Sequence, residues 1–226
     1  MLNPIDSDRA PDPPDQRQYA PATQRNRDPI LVVLQRVLPP TGTILEISSG
    51  TGEHAVYFAP RLSPRQWLPS DPNPIARHSI ESWRWHEPAE NLCAPLAIDV
   101  CDPLWAENIA PQVNPQFNLQ SNLIQAIVNI NMIHIAPWAA CLGLMAGAAR
   151  ILPTGGVLYL YGPYQQQGQH TAESNAAFDA SLRQQNSDWG VRELEAVVEV
   201  AEKQGLQWQE TIAMPANNLS VVFCRL

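Results

Sequence analysis

The stretch ILEISSGTGEH, residues 44–54, decides the fold of this 226-residue chain. An apolar run typical of a buried strand is followed by two closely spaced glycines and then by the beginning of a helix. Glu46 lies inside the apolar run, where an ionised carboxylate is costly unless it is paired or directed at a ligand. The stretch therefore predicts a strand, a tight turn and a helix N-terminus, whose N–H groups favour negative charge.

The glycines of this stretch leave several interpretations open. Gly50-x-Gly52-x-x-Ala55 satisfies the dinucleotide-binding pattern G-x-G-x-x-G/A, which suits an oxidoreductase with a nicotinamide cofactor. The same residues are compatible with a purely structural turn beside an internally hydrogen-bonded Glu46. The glycines alone do not distinguish a dinucleotide site from a purely structural turn, or either of these from a site for another nucleoside.

Two further acidic residues narrow the choice of ligand. Asp71 ends the second predicted strand, and Asp99 ends the third. Because ligands of an open parallel sheet bind beyond the carboxyl ends of its strands, these acids are expected to converge with the glycines. A carboxylate at Asp71 suits both hydroxyls of a ribose, in hydrogen bonds worth roughly 1.5–3 kcal/mol each, and one at Asp99 suits the amine of an adenine. With Glu46, these acids predict a ligand that contains adenosine.

Strands and helices alternate along most of the chain. Predicted strands occupy residues 43–49, 66–70, 94–99, 126–131 and 156–161. Predicted helices occupy 29–37, with Asp28 as the cap, and 52–61, 74–85, 138–152, 175–185 and 192–203. Such alternation is typical of a mainly parallel sheet with helices on both faces. The last two predicted strands, 207–214 and 219–225, are too close together for a parallel crossover and therefore predict an antiparallel hairpin.

The predicted fold is α/β: a three-layer α-β-α sandwich around a seven-stranded, mainly parallel sheet with a C-terminal antiparallel hairpin. Residues 19–226 are predicted to form a single domain. Residues 1–18 are predicted to be a disordered tail, because four Pro, four Asp and almost no apolar anchor cannot offset the entropy cost of ordering.

Composition limits the class of ligand and the location. With 14 Lys and Arg against 22 Asp and Glu, the formal net charge is −8, the wrong sign for a broad nucleic-acid surface, so a small molecule is the expected partner. No apolar run approaches the ~20 residues of a membrane span, and residues 1–10 lack the apolar core of a signal peptide, so a cytoplasmic location is expected. Cys93, Cys101, Cys141 and Cys224 are too scattered for a zinc site, and no metal is predicted.

Taken together, these residues resemble a known family. The motif Glu46-x-x-x-Gly50-Thr51-Gly52, with Asp71, Asp99-Val100 and the terminal hairpin, is similar to the class I S-adenosylmethionine-dependent methyltransferases. A narrower resemblance to the methyltransferase-like 26 family, also called domain of unknown function 938, covers residues 19–226. It rests on the strings at 19–22, 25–30, 49–55, 131–135, 161–164, 174–179 and 214–219. In one departure, a longer Gln- and Asn-rich segment at 109–121 replaces a compact one containing Phe-Asp.

The resemblance implies the class I methyltransferase fold and S-adenosylmethionine as cofactor, with S-adenosylhomocysteine as product. Asn131 would hold the methionyl amine, Met132 would pack on the adenine, and Glu46 would contact the methionine portion directly or through water. The predicted cofactor-binding set is Glu46, Gly50, Thr51, Gly52, Asp71, Asp99, Val100, Asn131 and Met132.

His134, just beyond the fourth predicted strand, is the candidate catalytic base because imidazole titrates near neutrality. An alternative interpretation makes it a structural residue that caps the helix at Pro137. The substrate side is predicted to gather Tyr19, Arg25, Asn26, Tyr164, His170, Asn217 and Asn218. Simpler interpretations compete for some of these, since residues 161–164 also suit a turn with core aromatics, and Asn217-Asn218 suits an ordinary hairpin turn.

The sequence therefore predicts a methyltransferase that transfers a methyl group from S-adenosylmethionine to a small molecule. The fourth strand is followed by residues 131–134, NMIH, rather than by Asn-Pro-Pro-Tyr, which disfavours methylation of adenine or glutamine nitrogen. One alternative is a non-catalytic S-adenosylmethionine-binding protein with a regulatory or assembly role. Another is an NAD-dependent oxidoreductase, which Glu46, Asp99 and the terminal hairpin disfavour.

Overall fold

A six-stranded sheet lies at the centre of the computed structural model, which describes residues 14–109 and 124–226. The strands are β1 (Thr43–Ile47), β2 (Gln66–Ser70), β3 (Ile124–Ile130), β4 (Val157–Gly162), β5 (Tyr164–Gln166), β6 (Gln169–His170), β7 (Arg192–Glu193), β8 (Leu206–Met214) and β9 (Asn218–Arg225). The helices are α1 (Pro21–Val37), α2 (Glu53–Arg61), α3 (Pro74–His86), α4 (Trp138–Ile151), α5 (Glu173–Gln185) and α6 (Leu194–Lys203).

The order of strands in the large sheet is β2-β1-β3-β4-β9-β8. Strands β1 to β4 are parallel, whereas β9 runs antiparallel to both β4 and β8. The short strands β5, β6 and β7 form a small second sheet. The predicted α/β class, the mostly parallel sheet and the closing hairpin are confirmed.

The predicted strand at residues 94–99 is wrong, and among the described residues the sheet has six strands rather than seven. This segment runs beside β2 and contacts it through two isolated bridges, Trp67 to Leu92 and Ser70 to Leu96. Two prolines explain the interruption, since Pro95 in the segment and Pro69 in β2 have no N–H group to donate to a continuous ladder.

Apolar side chains alternate between the two faces of the sheet and form two cores. Leu45 and Leu158 belong to the core covered by α4 and α6. Ile44 and Tyr159, each one residue away along the same strands, belong to the core covered by α1, α2 and α3. This alternation with period two places helices on both faces and gives the predicted three layers.

The N-terminal part of the described chain lies along α3. The backbone N–H groups of Gln16 and Gln18 donate to the hydroxyls of Ser82 and Ser79, at 3.0 and 2.8 Å. The predicted tail at 1–18 therefore includes residues bound to the domain, whereas residues 1–13, like nearly all of the departure at 109–121, lie outside the described residues.

Helix α1 begins at Pro21, earlier than the predicted start at Pro29. Either Pro21 or Pro29 suits a first helical position, and the structure uses the earlier one, with Pro29 inside the helix. None of the described helices is long and apolar enough to cross a membrane.

Candidate functional site

Left-handed backbone marks the carboxyl end of the sheet. Ser48 and Gly50, which follow β1, and Asn131, which follows β3, have φ angles of 57°, 57° and 62°. Left-handed backbone is unfavourable for residues other than glycine and concentrates at functional sites. We call residues 48–52 the glycine turn.

Asp71 joins the end of β2 to the glycine turn. One carboxylate oxygen accepts from the N–H of Gly50 at 3.0 Å, and the other accepts from the N–H of Asn73 at 2.9 Å. Burial raises the pKa of Asp71, and these two hydrogen bonds act against that rise. Because each oxygen has a second lone pair, the carboxylate is positioned and retains the capacity to accept further hydrogen bonds.

The two glycines of the turn have different surroundings. A Cβ added at Gly50 would meet no atom within 4 Å, so this position opens into free space. A Cβ added at Gly52, where φ is +87°, would lie 2.9 Å from the Cγ1 of Ile80 on α3. Gly52 is therefore required for helix packing, whereas the position of an added Cβ at Gly50 is open.

Glu46 lies inside the protein, only 1% exposed. Its carboxylate accepts a hydrogen bond from the indole N–H of Trp67 at 3.0 Å. Burial raises the pKa of Glu46 to about 7, against the opposing effect of the Trp67 hydrogen bond. This placement corresponds to the alternative of an internally hydrogen-bonded carboxylate.

The remaining predicted cofactor residues are divided between surface and core. Asp99 is exposed, and its carboxylate accepts from the N–H of Cys101 at 2.9 Å. Val100 and Met132 are buried in the core under α4. The Thr51 hydroxyl donates to the Glu53 carboxylate at 3.2 Å, at the beginning of α2.

A cavity of about 730 Å³ opens at the same end of the sheet, and we call it the Tyr161 cavity. Segments distant in sequence surround it: α1, the ends of β3 and β4, α5 and the turn between β8 and β9. Its lining residues are Ala22, Arg25, Asn26, Asn131, His134, Ile135, Tyr161, Pro163, Ser174, Asn175, Phe178, Pro215, Ala216, Asn217 and Asn218. Six residues from the predicted sets are thus brought together: Arg25, Asn26, Asn131, His134, Asn217 and Asn218.

Side-chain hydrogen bonds hold the segments around the cavity. The Tyr161 hydroxyl interacts with the side chains of Asn26 and Asn218, and Asn26 is also hydrogen bonded to His54 at 2.8 Å. The Asn175 side chain donates to the carbonyl of Asn217 at 2.9 Å. Asparagines therefore connect α1, β4, α5 and the hairpin turn.

His134 is 2% exposed and lines the cavity. Its ring is edge-on to Phe178, with ring centroids 5.7 Å apart, and a Cβ added at Gly162 would lie 3.0 Å from its Nδ1. Burial, together with the charge of Arg192, lowers the pKa of His134 to about 3, so the imidazole is neutral at pH 7. The alternative capping role is wrong, because the N-cap of α4 is Pro137 and no side chain caps it.

Three predicted substrate residues do not line the cavity. Tyr164 is fully buried in the core under α4 and α6, because β4 ends at Gly162 and the chain turns into β5. Tyr19 precedes α1 and packs edge-on against Trp83. The His170 ring nitrogen Nε2 lies 3.6 Å from the Asp179 carboxylate on α5, and His170 is absent from the cavity lining.

The sequence predictions omitted residues that the structure places in the cavity, notably Tyr161, Asn175 and Phe178. A signal for all three was present, because they lie in the strings 161–164 and 174–179 that support the family resemblance. Tyr161 shares a strand face with Tyr159, and this alternation would have separated it from Tyr164.

Comparisons with known proteins agree with this fold. The family model described as "Protein of unknown function (DUF938)" matches residues 17–225. An O-methyltransferase family protein from Burkholderia thailandensis is similar in structure, with a TM-score of 0.72 and 13% identity over 90% of this chain and 57% of that one. Human N-acetylserotonin methyltransferase, solved with S-adenosylmethionine, has a TM-score of 0.69 and 12% identity over 90% of this chain and 52% of that one.

A third similar structure is an O-methyltransferase family 2 protein from Planctomyces limnophilus in complex with apigenin, with a TM-score of 0.67 and 16% identity over 88% of this chain and 61% of that one. At such identities the likeness establishes the class I methyltransferase fold. The present chain spans between one half and two thirds of the length of these proteins.

Proposed function

Because the chain belongs to the DUF938 family and has the class I methyltransferase fold, we propose that it is an S-adenosylmethionine-dependent methyltransferase acting on a small molecule. One observation carries this proposal: the glycine turn with Asp71 and the Tyr161 cavity open at the same end of the sheet. A donor site and an acceptor site would then adjoin at Asn131, which follows β3 and lines the cavity. The narrower name, methyltransferase-like 26, stays a prediction.

The residues at the glycine turn fit S-adenosylmethionine. Asp71 retains acceptor capacity for the ribose hydroxyls, and the free space beside Gly50 admits a ligand close to the backbone. Two similar structures, human N-acetylserotonin methyltransferase and PigF, were solved with S-adenosylmethionine and S-adenosylhomocysteine respectively. When bound, S-adenosylmethionine supplies a methyl group already activated on a sulfonium. The main task of the protein is then alignment, which can contribute about 7–11 kcal/mol in favourable cases.

We propose an oxygen acceptor, since several of the similar structures are O-methyltransferases. Neutral His134 would accept a hydrogen bond from an acceptor hydroxyl and orient its oxygen. With a pKa of about 3 it is a weak base, so its contribution is mainly orientation, with proton transfer late in the step. His134→Ala is expected to lower turnover with donor affinity unchanged. A parallel loss of donor affinity would instead assign His134 to the donor site or to the fold.

Calorimetry with S-adenosylmethionine, S-adenosylhomocysteine and NAD tests the donor site. We expect the first two to bind and NAD to show no binding. Binding of NAD alone would contradict the methyltransferase proposal and favour an oxidoreductase.

Incubation of cell extracts with methyl-labelled S-adenosylmethionine then tests catalysis. We expect a labelled small molecule that depends on the protein and is lost with Asp71→Ala. If the donor binds but no extract yields a labelled product, a non-catalytic binding role is favoured.

A further inference from the structure

The Tyr161 cavity has an unbalanced positive charge. Arg25 lies on its rim, and none of the described lining residues is Asp or Glu. The ion pairs among the described residues do not include Arg25. This guanidinium is therefore available to a ligand, on a chain whose formal net charge is −8.

A second cation lies behind His134. The Arg192 guanidinium donates to the carbonyl oxygens of Ile133 and Ala136, at 2.9 and 2.6 Å, and to that of Asp188 at 2.8 Å. These partners are neutral backbone groups, and the carboxylate of Asp179 is hydrogen bonded to Arg183. Arg192 therefore places a guanidinium behind His134, where it disfavours protonation of the imidazole, and the carboxylates of Asp179 and Asp188 offset part of its charge.

The cavity also has an apolar wall suited to a flat ligand. Phe178 is 40% exposed and stands edge-on to His134, and Ile135, Pro163 and Pro215 complete the wall. A ligand ring favours an offset or edge-to-face contact with the ring of Phe178. The asparagine amides around it offer donors and acceptors but no compensating charge.

We propose that the acceptor is a small aromatic acid whose anionic group pairs with Arg25 and whose ring packs against Phe178. This inference rests on the proposed function and specifies its substrate class. Hydrogen bonds between a guanidinium and a carboxylate are charge-assisted and frequently bidentate, so the pair fixes orientation as well as affinity. Anchored in this way, the ring would present a hydroxyl substituent to His134.

The test measures binding to the 226-residue chain loaded with S-adenosylhomocysteine. The probes are hydroxylated benzoic, cinnamic and indole carboxylic acids, the matched amides, and inorganic phosphate. We expect at least one acid to bind about tenfold or more tightly than its amide, and phosphate to bind more weakly than that acid.

Variants of Arg25 identify the residue responsible. Arg25→Gln is expected to weaken the acid about tenfold with little effect on the amide, and Arg25→Lys should restore part of the loss. Arg36→Gln is the matched control, because it removes the same charge from α1 at a site paired with Glu210, outside the cavity lining. It should leave acid binding unchanged.

Equal binding of acid and amide across the whole panel, or acid binding independent of Arg25, would overturn the inference. Phosphate binding as tight as that of the acids would contradict the role of the aromatic ring. The proposed function is judged separately by binding of S-adenosylhomocysteine itself. If that binding fails, the same acids and amides are compared on the free protein, where dependence on Arg25 still decides the ligand class.

Discussion

The two halves of the candidate site are held together in different ways. The donor half, formed by the glycine turn and Asp71, joins two neighbouring parallel strands through hydrogen bonds between a carboxylate and backbone N–H groups. The acceptor half, formed by the Tyr161 cavity, joins a helix from the beginning of the domain to a hairpin at its end through amide and hydroxyl side chains.

This difference has consequences for specificity. Backbone donors and a fixed carboxylate impose one geometry that suits an invariant cofactor. Substitution of side chains that come from separate segments can change the shape of the cavity without altering the sheet, as substitutions in loops on a rigid scaffold do. The largest loss of ligand affinity from a single substitution is therefore expected in the donor half.

The largest effect is expected from Asp71→Ala. The substitution removes the proposed acceptor of the ribose hydroxyls and leaves the N–H of Gly50 without its Asp71 partner. At roughly 1.5–3 kcal/mol for each hydrogen bond to a charged group, two lost bonds weaken S-adenosylhomocysteine binding about a hundredfold or more in calorimetry. Asp71→Asn, which keeps the size but removes the charge, should give an intermediate loss. Unchanged affinity in both variants would refute the ribose role.

Next in size is the effect of a methyl group at Gly50. Gly50→Ala places this methyl group in open space at φ +57°. Gly155→Ala is the matched control, because Gly155 also has a positive φ, +84°, and open surroundings but is remote from the site. Both should lose about 1 kcal/mol of unfolding free energy to backbone strain, and only Gly50→Ala should lose donor affinity, by about tenfold. Equal donor affinity in the two variants would mean that the space beside Gly50 is not the donor site.

The same difference explains which half was predictable from sequence. The donor half lies within one short window, residues 44–54, plus a strand end. Local pattern and the topology of parallel strands are therefore sufficient to predict that Gly50 and Asp71 meet at the end of the sheet, and their role in donor binding stays a prediction. The exception is Glu46. Its position in an apolar strand signals an unusual carboxylate, but the hydrogen bond from Trp67, which comes from the neighbouring strand, determines that the carboxylate points inwards.

The acceptor half was only partly predictable because tertiary packing creates it. Arg25 and Asn26 were found through the family resemblance, whereas Phe178 on α5 belongs to the cavity only because that helix folds back towards the end of β3. Local sequence also favoured Tyr164 over Tyr161, and the turn after β4 reverses that choice.

A smaller effect concerns pH, because Glu46, which precedes the glycine turn, and His134, in the Tyr161 cavity, change stability with opposite signs. Glu46, with its pKa raised to about 7, holds a proton in the folded state from its ordinary 4.5 up to that value, so stability falls as pH rises through this window. His134, with its pKa lowered to about 3, stays neutral in the folded state while the unfolded chain takes up a proton below about 6.5, so stability falls as pH decreases there. The two slopes oppose each other between about pH 4.5 and 6.5.

Variants separate these slopes. In Glu46→Gln the unfolding free energy should rise more steeply from pH 5 to 6.5 than in the unsubstituted protein, by up to about 1.4 kcal/mol per pH unit, measured by urea denaturation. His134→Gln should flatten the rise of the unfolding free energy with pH. Part of that rise should remain, because burial also lowers the pKa of His54 to about 3. Parallel pH curves for Glu46→Gln and the unsubstituted protein would contradict protonation of Glu46 in the folded state.

The smallest effects distinguish two nearby tyrosines. Tyr161→Phe removes a hydroxyl that interacts with Asn26 and Asn218, so we expect about 1 kcal/mol less stability and severalfold weaker binding of the acceptor acid. Tyr164→Phe removes a buried hydroxyl that has no hydrogen-bond partner among the described residues, so stability should stay equal or rise slightly, with acid binding unchanged. Urea denaturation and calorimetry measure both. If Tyr164→Phe weakened acid binding and Tyr161→Phe did not, the acceptor site would lie on the α4 side of β4, and the cavity assigned to it would be wrong.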